Sequence, residues 1–368
     1  CRPRDRGTQG FAMMRHLYRA LAAIMALGCI SCRARVSAPP QFLKTIQKSG
    51  TSQRLQAISA VSAKVAWASG LGGSVLRTTD GGNTWIALNV PKSHDLQFRD
   101  VHAFSASSAL LLSAGDGAKS RIYRTDDGGA SWTQQYRVGA PQGFLNCFDF
   151  WDQDRGVAYG DSVAGVLFVL RTLDGGATWH RVAPNALPKA GPGEGGFAAS
   201  GGCVRVGAHG QAWIATGAGG NARVLRSVDW GEHWFASDTP HKRGDAAGVM
   251  TVVRSREKLV ALGGDLGQPD VATNARVAIS NDNGKTWRLV ASPEFPGAVY
   301  GAATREQNNE HSSLIALGPG GVAISHDGGS SWHALDAGDF WAASFGSVLR
   351  FWAVGPNGSI VRFDARPN

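Results

Sequence analysis

Motifs for metals, cofactors and membrane spans are missing from this sequence. After residue 40 there is no apolar run long enough to cross a bilayer, no heptad pattern and no long amphipathic helix. No CxxC pair or histidine-rich cluster suggests zinc, and no dinucleotide fingerprint, haem-attachment CxxCH or flavin motif suggests redox chemistry. We therefore expect no transmembrane span, no metal and no cofactor.

Acidic residues are the minority, with 28 Asp and Glu against 37 Lys and Arg, but the excess of positive charge lies at one end of the chain. Residues 1–40 hold seven arginines and one aspartate, so the remainder carries 30 basic and 27 acidic residues, a formal net charge of +3. That remainder has no basic stripe with a recognition motif. The composition therefore gives no support to a nucleic-acid partner.

The first 40 residues have the pattern of a leader. Residues 1–12 precede Met13 and are expected to be an upstream remnant. Residues 13–32 combine basic side chains with an apolar stretch that is too short to span a bilayer, which is typical of an export signal. Residues 33–40 then form a linker. We expect an exported protein.

The end of this leader leaves its processing open. Cys29 and Cys32 each follow a small residue, as the acylated cysteine of a lipoprotein does, so either could carry a lipid anchor. Ordinary signal-peptide cleavage within residues 34–38 is the alternative. The predicted localisation is therefore periplasmic, or the outer membrane as a lipoprotein.

A tight-turn motif recurs six times, beginning with TTDGGNTW at residues 78–85. Its aspartates are spaced by 47, 47, 55, 53 and 45 residues, at or just above the period of propeller blades. Asp-Gly-Gly and Asn-Gly suit turns with positive φ, where the aspartate side chain accepts backbone N–H groups a few residues on. Because the same residue returns at the same turn, we predict a structural role for the six aspartates Asp80, Asp127, Asp174, Asp229, Asp282 and Asp327.

The motif Ser/Thr-x-Asp-x-Gly-x-Thr/Ser-Trp resembles the Asp-box (BNR) repeat. That repeat occurs in sialidase-like, sortilin-like and photosystem II stability/assembly-factor-like β-propellers. The fourth copy departs from the pattern, with Trp230 in place of a glycine and His233 in place of the hydroxyl residue. The resemblance covers almost everything after Gln41 and implies a propeller whose ligands bind on the face opposite the boxes.

A second half-repeat, an apolar run ending in glycine, occurs seven times, as in residues 65–70 and 351–355. The chain therefore contains seven units, and the seventh stops where its Asp-box should begin. Residues 42–47 can supply its missing outer strand. We predict an all-β fold at residues 41–366, a seven-bladed propeller of four-stranded antiparallel blades closed by an N-terminal strand.

Nine of the twelve tryptophans fall at repeat positions and are expected in the core: six close the boxes, and the others are Trp67, Trp213 and Trp352. Trp151, Trp230 and Trp341 have no role given by the repeat.

Two cysteines remain after the leader, Cys147 and Cys203, near the starts of the inner strands of successive units. An oxidising compartment would permit a disulfide between them. A disulfide needs Cα atoms within about 7 Å, however, and neighbouring inner strands could lie further apart. The sequence therefore favours two buried free thiols over a disulfide.

Candidate functional residues lie in loops that the repeat does not require. Two loops are long, residues 185–202 and 265–276, and three units place an aspartate just after the apolar-glycine signal. We expect carboxylates around the central opening, with Asp161 and Glu194 as candidate catalytic residues. The full predicted binding set is Arg99, Asp116, Arg121, Asp149, Asp161, Glu194, Arg243, Asp265, Tyr300 and Trp341.

Two function classes compete. One is a monomeric, non-catalytic exported propeller that binds a protein or a cell-envelope glycan through its rim, as the assembly-factor resemblance implies. The other is a sialidase- or glucanase-like glycoside hydrolase with a carboxylate pair. The early Arg-Ile-Pro segment of sialidases is absent, no arginine triad can be matched, and few aromatics are left to line a glucan groove. The sequence favours the binding propeller.

Overall fold

The computed structural model of the protein describes residues 41–308 and 311–366. Within them the chain forms twenty-eight short strands. In chain order these are β1 Phe42–Gln47, β2 Leu55–Ala60, β3 Ala66–Gly70, β4 Val75–Thr78, β5 Ile86–Ala87, β6 Phe98–Ala103, β7 Ala109–Ser113, β8 Arg121–Thr125, β9 Thr133–Arg137, β10 Leu145–Phe150, β11 Gly156–Val163, β12 Val166–Thr172, β13 His180–Arg181, β14 Val204–Val206, β15 Ala212–Thr216, β16 Arg223–Ser227, β17 Phe235–Asp238, β18 Ala247–Ser255, β19 Lys258–Asp265, β20 Val277–Ser280, β21 Arg288–Leu289, β22 Gly301–Asn308, β23 His311–Gly318, β24 Gly321–Ser325, β25 His333–Asp336, β26 Ala342–Ser347, β27 Arg350–Val354 and β28 Ile360–Ala365.

The strands form seven four-stranded antiparallel sheets. Six sheets use consecutive strands, starting with β2 to β5 and ending with β22 to β25, and we number them blades 1 to 6. The seventh sheet, blade 7, has the order β26, β27, β28, β1. The first-named strand of each blade is its inner strand. The prediction of an all-β, seven-bladed propeller is confirmed.

The N-terminal strand closes the ring. β1 pairs antiparallel with β28, from Phe42 opposite Ala365 to Gln47 opposite Ile360. The Gln47 side chain continues the closure into blade 1, because its Nε2 donates to the Gly81 carbonyl at 3.2 Å. Its Oε1 accepts bonds from the indoles of Trp85 and Trp352, both at 3.0 Å. One side chain therefore ties the first and last blades together, as the predicted closure requires.

The two faces of the ring follow from antiparallel pairing. In blades 1 to 6 the aspartate turns join the third and fourth strands, on the same side as the turns between the first and second strands. We call this side the turn face. The loops that enter the inner strands lie on the opposite side, the loop face. Phe42 begins β1 beside Ala365, so the propeller chain starts and ends at the turn face.

Neighbouring inner strands are joined by a recurring hydrogen bond. A polar side chain on one inner strand accepts a backbone N–H from the inner strand of the next blade, a group that the ladder of its own blade leaves unpaired. The accepting side chains and their donors are Ser344 with Ala60, Ser59 with Ala103, Asp100 with Phe148 and Asp149 with Val206, at 2.9 to 3.1 Å.

Cys147 and Cys203 form a disulfide between the inner strand of blade 3 and the residue preceding the inner strand of blade 4. The expectation of two free thiols was wrong. Inner strands converge on the axis of the ring, which brings the two Cα atoms to 6.0 Å, inside the range that a disulfide requires. Both residues are completely buried.

The core lies between adjacent blades. Trp67, Trp213 and Trp352 are fully buried there, as predicted. Of the tryptophans that close the aspartate turns, Trp179 and Trp234 are buried, whereas the other four are half-buried. All six directly precede the outermost strand of a blade, so their position in the repeat does not by itself decide how deeply the ring is buried.

In residues 41–308 and 311–366, helix is limited to single 3₁₀ turns, such as Gly117–Lys119. None of the helices in the described ranges has the length and apolar character of a membrane span. The predicted upstream remnant, export signal and linker at residues 1–40, with Cys29 and Cys32, lie outside the described residues.

Candidate functional site

The six aspartate turns share one hydrogen-bond pattern, shown here for Asp127. Its Oδ1 accepts from the Thr125 hydroxyl at 2.8 Å and from the Ser131 N–H at 2.9 Å, and its Oδ2 accepts from the Ser131 hydroxyl at 2.6 Å. The bonds from Ser131 lower the pKa of Asp127 to about 2. Gly128 and Gly129 have φ of 76° and 88°, where a side chain would be strained. The carboxylate is occupied within its own turn.

The fourth turn keeps this pattern with different residues. The His233 ring nitrogen Nδ1 lies 2.8 Å from Asp229 Oδ2 and replaces the usual hydroxyl. Trp230 adopts a φ of 63°, a conformation that favours glycine. Its ring packs edge-on against Trp151 at 5.7 Å and lies under the Arg155 guanidinium at 3.5 Å. Trp151 and Trp230 therefore have a packing role.

The long insertion after blade 3 folds across the mouth of the central channel. We call residues 195–202 the mouth segment. Its Ala198 carbonyl accepts a bond from Arg99 of blade 2 at 3.3 Å, and its Ser200 hydroxyl donates to the Tyr300 carbonyl, before blade 6, at 2.7 Å. Phe197 packs with Met250 of blade 5. The insertion therefore covers the central opening of the ring. The sequence predicted only that carboxylates of this loop would lie around that opening.

Glu194 anchors this insertion and does not present a free carboxylate. Its side chain is fully buried and paired with Arg223, whose Nε donates to Oε1 at 2.9 Å and whose Nη2 contacts Oε2. Oε1 also accepts from the Thr216 hydroxyl at 2.7 Å, and Oε2 from the Gly191 N–H at 2.8 Å. Every acceptor direction is used internally, so Glu194 does not act with Asp161 as a pair facing a substrate.

Four of the predicted residues do meet on the loop face. They line a cavity of about 310 Å³, together with Phe197 of the mouth segment and other loop residues. We call it the rim pocket. The four predicted residues in its lining are Arg99, Asp161, Tyr300 and Trp341.

Asp161 forms the polar wall of the rim pocket. Its Oδ1 accepts from the Asn146 amide at 2.8 Å and from the Gly196 N–H at 3.0 Å. Burial raises the pKa of Asp161 above its ordinary value, and the charge of Asp116 raises it further, although the two hydrogen bonds oppose the change. Asp161 therefore carries its negative charge less readily than a solvated aspartate.

Arg99 and two aromatic rings form the other wall, and Arg54 lies beside that wall. Trp341 and Tyr300 are in edge-to-face contact at 4.9 Å, and the Arg54 guanidinium lies 4.2 Å above the Trp341 ring. Burial and the nearby charge of Arg54 lower the pKa of Arg99. Arg54 was not among the predicted residues. It immediately precedes inner strand β2, so its place in a loop-face entry segment was the signal that could have identified it.

Neither Arg54 nor Arg99 forms a salt bridge within the described part of the chain. The Nε of Arg54 is buried without a hydrogen-bond partner. Burial raises the pKa of Asp339, and the positive charge of nearby Arg54 counteracts part of that rise. Arg99 also donates from Nε and Nη2 to the Gln97 side-chain oxygen, which holds its guanidinium in place. Two neighbouring guanidinium groups beside half-buried aromatic rings can receive an anionic group with their remaining N–H donors.

The remaining predicted residues are placed elsewhere. Asp149 lies in the central channel, and Asp116 precedes the 3₁₀ turn Gly117–Lys119. The other three are engaged with near neighbours: Asp265 with Lys242 at 2.7 Å, Arg243 with Asp238 at 3.2 Å, and Arg121 with the Ala118 carbonyl at 2.6 Å.

The central channel contains a second polar cavity of about 340 Å³, the channel chamber. The His102 Nδ1 lies 3.2 Å from Asp149 Oδ1, and the Arg205 Nη1 lies 3.9 Å from Asp149 Oδ2. Burial raises the pKa of Asp149, but His102 and Arg205 outweigh it and leave that pKa below its ordinary value. Burial dominates at Asp100 and raises its pKa well above the ordinary value. No group of three or more potential metal ligands occurs among the described residues.

Comparison with known proteins gives structural matches only. No family model and no curated protein matches the sequence. Among solved structures, the chain is similar to "YCF48 bound to D1 peptide", at 17% identity with a TM-score of 0.61, covering 90% of this chain and 97% of that one. YCF48 from Cyanidioschyzon merolae matches at 16% identity with a TM-score of 0.59, covering 87% of this chain and 98% of that one.

The GH74 enzyme of Niastella koreensis matches at 15% identity with a TM-score of 0.62, covering 86% of this chain and 53% of that enzyme. At these identities the matches show the fold alone. The predicted resemblance to assembly-factor-like and sialidase/sortilin-like propellers is thus confirmed as a shared β-propeller fold.

Proposed function

We propose that this protein is a non-catalytic binding propeller that captures an acidic, extended segment of a protein partner in the rim pocket. The observation that carries this proposal is the pair Arg54 and Arg99, which lack a salt-bridge partner in the described residues and adjoin Trp341 and Tyr300. Arginine, tryptophan and tyrosine are the residues that most often dominate binding energy at protein interfaces.

The size of the rim pocket favours a segment over a folded surface. About 310 Å³ accommodates a few side chains, whereas the surrounding loops supply backbone groups for an extended chain. An acidic side chain or a C-terminal carboxylate would pair with the two guanidinium groups, and an apolar side chain would lie on Trp341. The similar YCF48 structure has a D1 peptide bound, which supports a peptide as the class of ligand.

Glycoside hydrolysis has less support. A hydrolase needs two carboxylates that can reach the same glycosidic bond. Glu194 is saturated by Arg223, Thr216 and Gly191, so only Asp161 of the proposed pair faces the rim pocket. The likeness to a GH74 enzyme supplies fold and no catalytic residue. We therefore retain binding of a protein as the proposed function, with a cell-envelope glycan as the other class of partner to be tested.

Selection from a displayed library of random peptides tests the proposal. The wild-type chain should enrich peptides rich in Asp and Glu, and their binding should weaken with added salt. Trp341→Ala and the double variant Arg54→Met/Arg99→Met should lose this enrichment. Arg288→Met, which removes an exposed arginine on outer strand β21, is the matched control and should keep it.

Equal enrichment by the wild type and the double variant would refute the rim pocket as the site. Binding of a cell-envelope glycan fraction without any peptide enrichment would refute the choice of partner. Release of reducing sugar from that fraction, lost in Asp161→Asn, would refute the non-catalytic assignment.

We also propose that the protein is exported and acts as a monomer, in the periplasm or at the outer membrane. The leader pattern of residues 13–32 and the disulfide, which suits an oxidising compartment, support export. Mass spectrometry of the mature N-terminus tests this: an uncleaved leader on the functional protein would contradict export.

A further inference from the structure

The channel chamber is separate from the rim pocket. Ser200 and Gly201 of the mouth segment line the chamber, whereas Phe197 and Ala198 of the same segment line the rim pocket. The segment therefore divides the two cavities. The remaining wall of the chamber consists of residues from the inner strands of six blades, including His102, Asp149 and Arg205.

The Asp149 carboxylate in the chamber is already occupied. Asp149 is buried, and its Oδ1 accepts from the Phe150 N–H at 2.9 Å and faces His102. Its Oδ2 accepts from the Val206 N–H at 3.1 Å and faces Arg205. A ligand would therefore find few free acceptors on this carboxylate.

Two hydroxyl groups of the chamber, by contrast, keep a proton to donate, and the Arg205 guanidinium keeps its N–H groups. Ser59 Oγ accepts the Ala103 N–H and Ser344 Oγ accepts the Ala60 N–H, both at 3.0 Å. An oxygen used as an acceptor in this way still has its O–H proton to donate. Neither hydroxyl donates to another group in the described ranges, and the Arg205 guanidinium forms no hydrogen bond there.

The charge balance also allows an anion. Arg205 lies beside Asp149 and compensates its charge at 3.9 Å. Asp100 resists ionisation, because burial raises its pKa well above the ordinary value. The chamber therefore has unused hydrogen-bond donors and no excess of negative charge. Such a site favours a ligand that is rich in acceptor oxygens.

We propose that the channel chamber binds a small oxyanion, a carboxylate or a phosphate, through the Arg205 guanidinium and the hydroxyls of Ser59 and Ser344. The volume of about 340 Å³ is within the range of small-molecule sites and holds such an anion with some water. This ligand would occupy the axis of the ring, where it contacts blades 1, 4 and 7 together.

Isothermal titration of the whole protein with inorganic phosphate and with succinate tests the proposal and distinguishes the two sources of the anion. Arg205→Met should weaken binding about tenfold to a hundredfold, the loss expected for charge-assisted hydrogen bonds. Arg254→Met removes an arginine from an inner strand outside the chamber lining and should bind like the wild type. Glucose serves as a neutral ligand of similar polarity.

Saturable binding of either anion that is lost in Arg205→Met and kept in Arg254→Met supports the site. If Arg205→Met is poorly folded, Ser344→Ala with unchanged circular dichroism should still weaken binding. Absence of saturable binding up to about 10 mM, beyond the weak end of specific affinity, would overturn the proposal. Binding of glucose but of neither anion, or equal loss in both arginine variants, would overturn it as well.

Discussion

Carboxylates of this protein occupy three kinds of environment, of which the local sequence identifies only the aspartate turns. Asp174 is surrounded by donors of its own turn, and its pKa is lowered, because the bonds from Thr178 and Thr172 outweigh the effect of burial. Asp161 is held in the rim pocket and its pKa is raised by burial. Glu194 is fully buried against Arg223. The partners that surround each oxygen, more than the residue type, decide its role.

Replacement of Asp174 by alanine should lower the free energy of unfolding by about 1 kcal/mol, since Thr178 loses its acceptor but remains open to water. Asp174→Asn keeps one acceptor oxygen and should lose less. Chemical denaturation of both variants measures the difference. Peptide enrichment by the rim pocket should be unchanged in both, and its loss in a folded Asp174→Ala protein would contradict the structural role of the turn.

The effect should also depend on pH. The folded pKa of Asp174 lies below the unfolded value of about 3.9, so its contribution is present above that value and is lost as the pH falls through the folded pKa. The gap between wild type and Asp174→Ala should therefore narrow below about pH 4. A gap that stayed constant would show that the carboxylate charge is not involved.

At the scale of the element, β1 and the mouth segment perform different tasks. β1 provides the outer strand of blade 7 and, through Gln47, hydrogen bonds to blade 1. The mouth segment joins blades 2, 5 and 6 through Arg99, Met250 and Tyr300. Both connect parts of the ring that are distant in sequence, and the repeat pattern predicted the position of β1 only.

Deletion of residues 42–47 together with everything before them should destabilise blade 7 and promote self-association. The outer edge of β28 would then expose unpaired backbone groups that can pair with another chain. Thermal unfolding and size-exclusion chromatography measure both effects. Deletion of residues 1–40 alone is the control and should melt like the wild type. A chain without β1 that melted at the control temperature and stayed monomeric would contradict closure by this strand.

At the scale of the whole molecule, the ring depends on contacts between inner strands. Four side-chain to backbone hydrogen bonds cross between successive blades around the axis. The Cys147–Cys203 disulfide adds a covalent link between blades 3 and 4. The four side chains that accept these hydrogen bonds, Ser344, Ser59, Asp100 and Asp149, also line the channel chamber. They therefore contribute both to the stability of the ring and to the wall of the proposed anion site.

The double variant Cys147→Ser/Cys203→Ser should lower the free energy of unfolding by about 2 to 4 kcal/mol, as expected for a buried disulfide that closes a loop of this length. Urea denaturation with and without a thiol reductant measures the loss, and reductant should affect the wild type only. Thiol labelling of the denatured, unreduced protein is the independent check. Labelling of both cysteines would contradict the disulfide.

Periodicity by itself determined the propeller fold. Each aspartate turn and each apolar-glycine run consists of a few consecutive residues. Their repetition predicted the number of blades, the strand pattern and closure by residues 42–47. These features depend on local turn chemistry and strand alternation, which a sequence contains directly. The choice of Arg99, Asp161, Tyr300 and Trp341 as candidates depended in addition on the resemblance to Asp-box propellers, which implies ligand binding on the face opposite the boxes.

Tertiary structure alone decided which of those loop residues meet and which are already paired. No local pattern indicated that Arg223 saturates Glu194 or that Arg54 lies over Trp341, and none could decide between a disulfide and two free thiols at Cys147 and Cys203. Each of these contacts joins segments that are far apart in the chain. Their distances are set by the convergence of seven blades on one axis and by the path of a glycine-rich insertion, and no local pattern encodes either.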